Sequence, residues 1–379
     1  MTANARTTAA FAGAALLLAA APAAAFPSFA TLADGGRCAS CHYAPAGGGL
    51  LNAWGRDQAG TELAVGGDGA FLHGAFALPD WLALGGDFRG ALLVSDRGVE
   101  PEGSIAFAAF PMQADLRARA AWRGWSASAT AGLRGARATG EAEGGAGAAS
   151  WFVSREHYLE WADTTRGVYV RSGRFYPPQG LRLPDHTLYV RRYTGMNLLE
   201  EPYAIGLSVL EPKWEVHATA FWRSPWRTPL VEAGGAVYGE LHLPGVDVGL
   251  TARAGAGGAA ARALAGATLR LALPFMRAAI LAELDAVREW VHGETGGART
   301  ELVGYAGLHA RPVRGLEVAA WYERFDEALG APGTARNAVG LAAFFHPYAH
   351  VELILQGRWQ LIGPGESARV ALFQLHYFL

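Results

Sequence analysis

Cys38, Cys41 and His42 make up the stretch C-x-x-C-H, and the chain holds no other cysteine. Two thiols at this spacing, followed at once by an imidazole, are the arrangement that attaches c-type haem. The thiols add across the porphyrin vinyl groups, and His42 is placed to bind the iron from one face. Other uses of a close cysteine pair fit less well. A zinc site needs four protein ligands, or three and a water, and no second cysteine pair exists to complete one. A thioredoxin-like redox pair needs a βαβ setting, which the flanking Gly, Ala and Pro do not offer. A disulfide across so small a loop would gain little.

The motif leaves the second iron ligand open. Methionine there would raise the reduction potential and histidine would keep it lower. No methionine lies between His42 and Met112, so the segment around the motif cannot supply one. His73 is the nearest other histidine and the first candidate for the distal position. His157, His186, His217 and His309 are alternatives if the haem lies deeper in the fold.

The elements that must position these groups begin with an export signal. Residues 1–25 carry Arg6 near the start and an apolar run from Ala9 to Ala21. Ala23, Ala24 and Ala25 follow as a small-residue cleavage site. The expected mature chain starts at Phe26. Covalent haem attachment takes place outside the bacterial cytoplasm, so a signal ahead of the motif is the consistent order.

What remains has a net charge near zero, formally −2 for the whole chain, which speaks against a nucleic-acid partner. It contains no run of uncharged apolar residues long enough for a transmembrane helix. At 51% hydrophobic residues, it is either an ordinary globular protein or a membrane β-barrel. Periodicity decides between the two. Trp214, Val216, Ala218, Ala220 and Trp222 alternate with Glu215, His217, Thr219, Phe221 and Arg223. Val351, Leu353, Leu355, Trp359 and Leu361 alternate with Glu352, Gln356, Arg358 and Gln360, and Leu316, Val318, Ala320 and Tyr322 alternate with Glu317 and Glu323. Successive strand side chains point to opposite faces, so each segment has one oily side and one wet side. His217 falls on the wet side. Each segment is about ten residues long, which suits a tilted strand crossing a bilayer.

Tight breakers recur at Arg123-Gly124, Arg166-Gly167, Pro212-Lys213, Pro244-Gly245, Pro274, Pro312 to Gly315, and Pro347. Longer loops lie between them, near residues 95–104, 137–149, 176–202, 224–232, 256–262, 290–299, 326–335 and 361–367. Short turns on one side and long loops on the other are the outer-membrane barrel pattern. The predicted fold is all-β: a transmembrane antiparallel β-barrel of about 16 strands (14–18) starting near Trp81, with both chain ends on the periplasmic side. The first four strands alternate least cleanly. Ala371, Phe373, Leu375, Tyr377 and Leu379 form an apolar row to the terminus. It is similar to the C-terminal assembly signal of outer-membrane barrels, although Leu379 departs from the usual final aromatic.

Three parts are therefore expected: a signal peptide (1–25), a monohaem cytochrome c segment (26–75) and an outer-membrane barrel (76–379). The haem segment is too short and Gly-rich to cover a porphyrin alone. A barrel of this size leaves a wide channel unless something plugs it. The expectation is that the haem segment plugs or caps the barrel, on the periplasmic side or within the lumen. The longest loop, Tyr176 to Pro202, is also the richest in basic groups, with Arg182, Arg191 and Arg192 following Arg171 and Arg174 on the preceding strand. Folded inward, such a loop would offer guanidinium groups to haem propionates or anionic solutes.

The run CASCHYAPAGGGLLNAWGR, Cys38 to Arg56, resembles the haem segment of fused monohaem cytochrome–porins. Phe26 to Ala30 resembles that family's lead-in. The specific likeness covers about thirty residues, and over the barrel it is one of architecture. The family includes iron oxidases of iron-oxidising bacteria. The resemblance implies one covalent haem c, with Cys38 and Cys41 as thioether positions and His42 as proximal ligand. It further implies a setting in outer-membrane lipid and electron transfer across it. The partners would be a periplasmic c-type cytochrome or other carrier and an extracellular donor or acceptor such as Fe(II). Extracellular Fe(II) oxidation would be the enzymatic form of that role. The alternative is a porin-type solute channel whose haem is a structural plug or redox sensor. A haem peroxidase would need a distal His/Arg pair, which no local motif shows. No hydrolase triad, phosphate-binding glycine loop or paired-carboxylate motif is present.

Overall fold

A computed structural model describes residues 27–32, 36–96, 105–134, 152–197, 200–222, 232–257, 260–291, 297–363 and 365–379. The signal peptide and the expected start at Phe26 lie outside the described residues, as do most of the expected loops 95–104, 137–149 and 224–232.

The strands run in chain order: β1 (Leu82–Ser95), β2 (Ala106–Trp122), β3 (Trp125–Arg134), β4 (Phe152–Val153, resumed at His157–Asp163) and β5 (Val168–Arg174). There follow β6 (Tyr203–Glu211), β7 (Trp214–Trp222), β8 (Ala233–Leu243), β9 (Val246–Ala256), β10 (Ala260–Leu273) and β11 (Ala278–Val291). The last five are β12 (Ala298–Val313), β13 (Leu316–Asp326), β14 (Ala335–Tyr348), β15 (Val351–Gly363) and β16 (Glu366–Phe378). Every neighbour pair is antiparallel. The two pieces of β4 pair in turn with β3, so they form one interrupted strand. β1 closes the ring on β16, from Asp87 opposite Phe378 to Ser95 opposite Val370. The result is a closed sixteen-stranded antiparallel barrel.

The turns fall where the breakers placed them, and the long connections leave from the opposite end. Several strands exceed the expected ten residues; β2 has 17 and β12 has 16. Their outer faces are apolar. Leu159, Leu207, Leu250, Leu284, Leu341 and Leu355 are exposed along the middle of the wall. Trp81, Trp122, Trp125, Trp214 and Tyr348 are exposed toward the short-turn end, and Phe107, Phe152, Trp222 and Trp290 toward the long-loop end. An apolar flank between two aromatic rims matches the lipid-facing pattern of a membrane barrel.

The inner face is the reverse. Glu215, His217 and Thr219 on β7, Glu240 on β8, Thr251 and Arg253 on β9, and Thr268 and Arg270 on β10 are all buried. Ion pairs satisfy several of them, such as Arg270 with Glu240 and Arg253 with Glu232 at 3.7 Å. The break in β4 is part of this interior: Arg155 leaves the ladder to meet Asp115 of β2 at 3.2 Å.

Two further pieces occupy the lumen. One is the segment before β1, with short helices α1 (Pro27–Leu32), α2 (Cys38–Cys41) and α3 (Ala53–Gln58). Phe29 is wholly buried under the Arg311 guanidinium at 3.8 Å, and Ser28 Oγ donates to Glu317 at 2.9 Å. Val65 N donates to His346 O and Ala349 N to Gly66 O, which fixes this segment to the short-turn end of the wall. The other is the loop between β5 and β6, which folds inward and carries α4 (Tyr189–Arg192). Leu181, Leu183, Leu188, Tyr189 and Val190 pack on Leu281, Val303, Ala319, Trp321 and Phe325 of the inner wall.

Candidate functional site

The C-x-x-C-H motif folds as a single helical turn stepping into an extended residue. His42 N donates to Cys38 O at 3.0 Å, closing α2, and His42 then bridges to Leu51. Asn52 holds the return of the chain: its Nδ2 donates to Ser40 O at 3.0 Å and its Oδ1 caps α3 through Gly55 N at 2.8 Å. A side-chain oxygen at the first position of a helix satisfies an otherwise unpaired backbone donor. Of the three glycines after Ala46, Gly47 packs directly on the motif. A β-carbon at Gly47, whose φ is +82°, would lie 2.9 Å from Cys38 Cβ. Tyr43 lies under the Arg119 guanidinium of β2 at 4.4 Å.

Cys38, Cys41 and His42 open together on a cavity of about 670 Å³ inside the barrel. Both cysteines are free thiols. Burial raises the pKa of each; for Cys41 the nearby Cys38 adds to it and the value reaches about 11. The structure does not bring His73 to them. His73 sits in the turn Phe71–Gly74, exposed, its Nδ1 3.1 Å from Asp68 O and its ring against Tyr348 and His350. That turn docks on the β14–β15 connection, outside the cavity, through His350 Nε2 and Ala70 O.

The other histidines separate clearly. His157 bonds Ser154 Oγ and Tyr203 OH, His217 bonds Ser208 Oγ and Glu215, and His309 bonds Glu317 and Tyr305 OH. His217 does lie on the wet face, as its strand position predicts. His186 alone of these four lines the cavity with the motif. Burial lowers its pKa, with Asp185 opposing, which favours the neutral imidazole.

Arginine dominates the polar lining. Arg182, on the inward loop, donates to Ala46 O at 2.8 Å and so ties that loop to the motif segment. Arg270 pairs with Glu240 and, at 3.3 Å, with Asp247. Arg171 and Arg174 are turned away into pairs with Glu160 and Glu201. Arg89 and Arg192 face the cavity with no carboxylate in ion-pair range among the described residues. Sequence reading missed Arg89 and the cavity-lining Met112. Both lie on β1 and β2, where the alternation is weakest, and nothing local marks them as inward.

These features fit a c-type haem. The two thiols and an imidazole reach one cavity, its volume falls in the range of cofactor sites, and guanidiniums along its lining, Arg89 and Arg192 among them, suit the two porphyrin carboxylates. The same charge would hold another anion. Glu215, Glu240 and His242 also converge within the lumen, but Arg182 and Arg270 already neutralise the two carboxylates.

No protein-family model matches the chain and no curated protein sequence is similar to it. Solved structures are similar in fold. The anion-selective porin from Comamonas acidovorans superposes with a TM-score of 0.60 at 13% identity, over 79% of this chain and 99% of that one. OmpT, an outer membrane protein of Vibrio cholerae, gives 0.57 at 9% identity, over 80% and 99%. The outer membrane channel DcaP of Acinetobacter baumannii gives 0.54 at 8% identity, over 79% and 97%.

Proposed function

We propose that this chain is a porin-like barrel of the bacterial outer membrane that carries one covalent c-type haem in its lumen and passes electrons across the membrane. Cys38 and Cys41 hold the porphyrin and His42 binds the iron. The observation that carries this reading is the opening of all three side chains onto one arginine-lined cavity inside the barrel.

When bound, the haem supplies a one-electron couple. The chain's own residues do the rest. Arg89 and Arg192 would offer their guanidiniums to the propionates, and α1 to α3 with the inward loop would exclude bulk water from the ring. The apolar flank and its aromatic rims keep the site within the bilayer. Electrons would run between an extracellular donor or acceptor, Fe(II) among them, and a periplasmic c-type cytochrome or other carrier.

A second reading has its own support. The fold likeness is to channels, one of them described as anion-selective, and by itself it favours a solute channel over an electron conduit. Arginines along a lumen suit anion passage, and the haem would then be a plug or redox sensor. Against it, Arg182 joins the inward loop to the motif segment across the lumen, so a bound porphyrin would fill the space left between them.

Liposomes with trapped ferric cytochrome c separate the two. An impermeant external reductant should reduce the interior pool through the holoprotein and fail through the Cys38→Ser, Cys41→Ser variant. Equal failure by both, together with uptake of small anions by both, would establish the channel reading instead.

A further inference from the structure

The inward loop meets the motif segment directly, and one of its side chains lines the same cavity as the motif. Arg182 donates to Ala46 O, eight residues after Cys38. Four residues on from Arg182, His186 lines the same cavity as Cys38, Cys41 and His42.

The backbone around His186 is pinned from several directions. Leu181 N donates to Glu283 at 2.8 Å and Tyr189 N to Glu323 at 2.6 Å. Asp185 accepts from Thr187 N at 2.8 Å and from Gln356 Nε2 of β15 at 2.9 Å. Arg358 Nη1 donates to Thr187 O at 3.0 Å. A ligand held this firmly is already ordered before it binds.

The other two histidines on the cavity face carboxylates instead. His346 and His376 also line the cavity. His376 has both ring nitrogens engaged, by Glu352 at 2.7 Å and Asp87 at 3.0 Å, and His346 faces Glu352 at 3.4 Å. Among the described residues, no hydrogen bond engages either ring nitrogen of His186, and its ring is open to the cavity. Met112 on β2 is the competing donor, since it lines the cavity too.

We propose that the inward loop closes the second face of the haem, with His186 binding the iron opposite His42. This rests on covalent haem at the motif, and it replaces His73 as the distal candidate.

The test uses ferric holoprotein in detergent, with His186→Ala, Met112→Leu and His73→Ala beside it. Electron paramagnetic resonance and near-infrared magnetic circular dichroism read the axial pair. The wild type should give the low-spin signature of two imidazoles, and His73→Ala and Met112→Leu should keep it. His186→Ala should retain stained haem and the heat-modifiable mobility of a folded barrel, yet become high-spin. Added imidazole should restore the low-spin state. His186→Met should raise the midpoint potential.

An unchanged low-spin spectrum in His186→Ala overturns the assignment. So does a thioether-to-iron band in the wild type that Met112→Leu abolishes. A wild type that carries no stained haem fails at the earlier step and overturns the haem reading itself.

Discussion

At the scale of single residues, the chemistry of the thiols is set by where they sit. Cys41 is 4% exposed, and burial with Cys38 beside it lifts its pKa to about 11. A raised thiol pKa favours the protonated form, so the haem-free chain holds thiols at neutral pH, and only the thiolate is a good nucleophile. Alkylation of folded, haem-free protein by iodoacetamide should be slow at pH 7 and climb as the pH nears 11. Rapid labelling of both cysteines at pH 7 would mean that the motif is not buried as described. The motif residues were fully legible in the sequence, because C-x-x-C-H is a local pattern. Their partners were not. Arg89, Met112 and His186 are 51, 74 and 148 residues or so from Cys38 in the chain, and only closure of the ring brings them to one space. His73 was favoured for its nearness in sequence, which in a barrel counts for little.

At the scale of elements, the inward loop is the piece on which the site depends. Its entry is tight at Gly180, where φ is +62° and a β-carbon would lie 2.0 Å from Glu283 Oε1. Gly180→Val should therefore lift the loop from the wall at a cost of about 1–3 kcal/mol, the usual penalty for overpacking. Trypsin would then cut at Arg191 or Arg192 faster than in the wild type; equal resistance of the two proteins would count against the packing described. The loop's length and basic content were visible in the sequence, and so was the alternation of β7, β13, β15 and β16. What could not be read was the break in β4. Ser154, Arg155 and Glu156 are polar and would have passed for a turn, yet they leave the ladder because Arg155 has a buried carboxylate, Asp115, to reach.

At the scale of the whole molecule, the barrel itself is the clearest inference, because most of its strands repeat one simple rule. Side chains of alternating character make a wall, and breakers of alternating length make its two ends. The outer face then carries a direct prediction. Leu341 is 66% exposed at mid-height on β14, where an arginine should destabilise the folded barrel in lipid by about 2–4 kcal/mol. Folding titrations in phosphatidylcholine vesicles measure this, and a loss near zero would remove the bilayer from that face.

The seam between β1 and β16 also dictates a timetable. Sixteen staves joined edge to edge leave no side door for a rigid macrocycle. On the proposed function, a pigment joined to Cys38 and Cys41 would have to be fastened while the exported chain is still open, and insertion would then shut around cargo already loaded. Cells lacking the ligation enzymes should accordingly yield empty barrels that no later supply of porphyrin can colour.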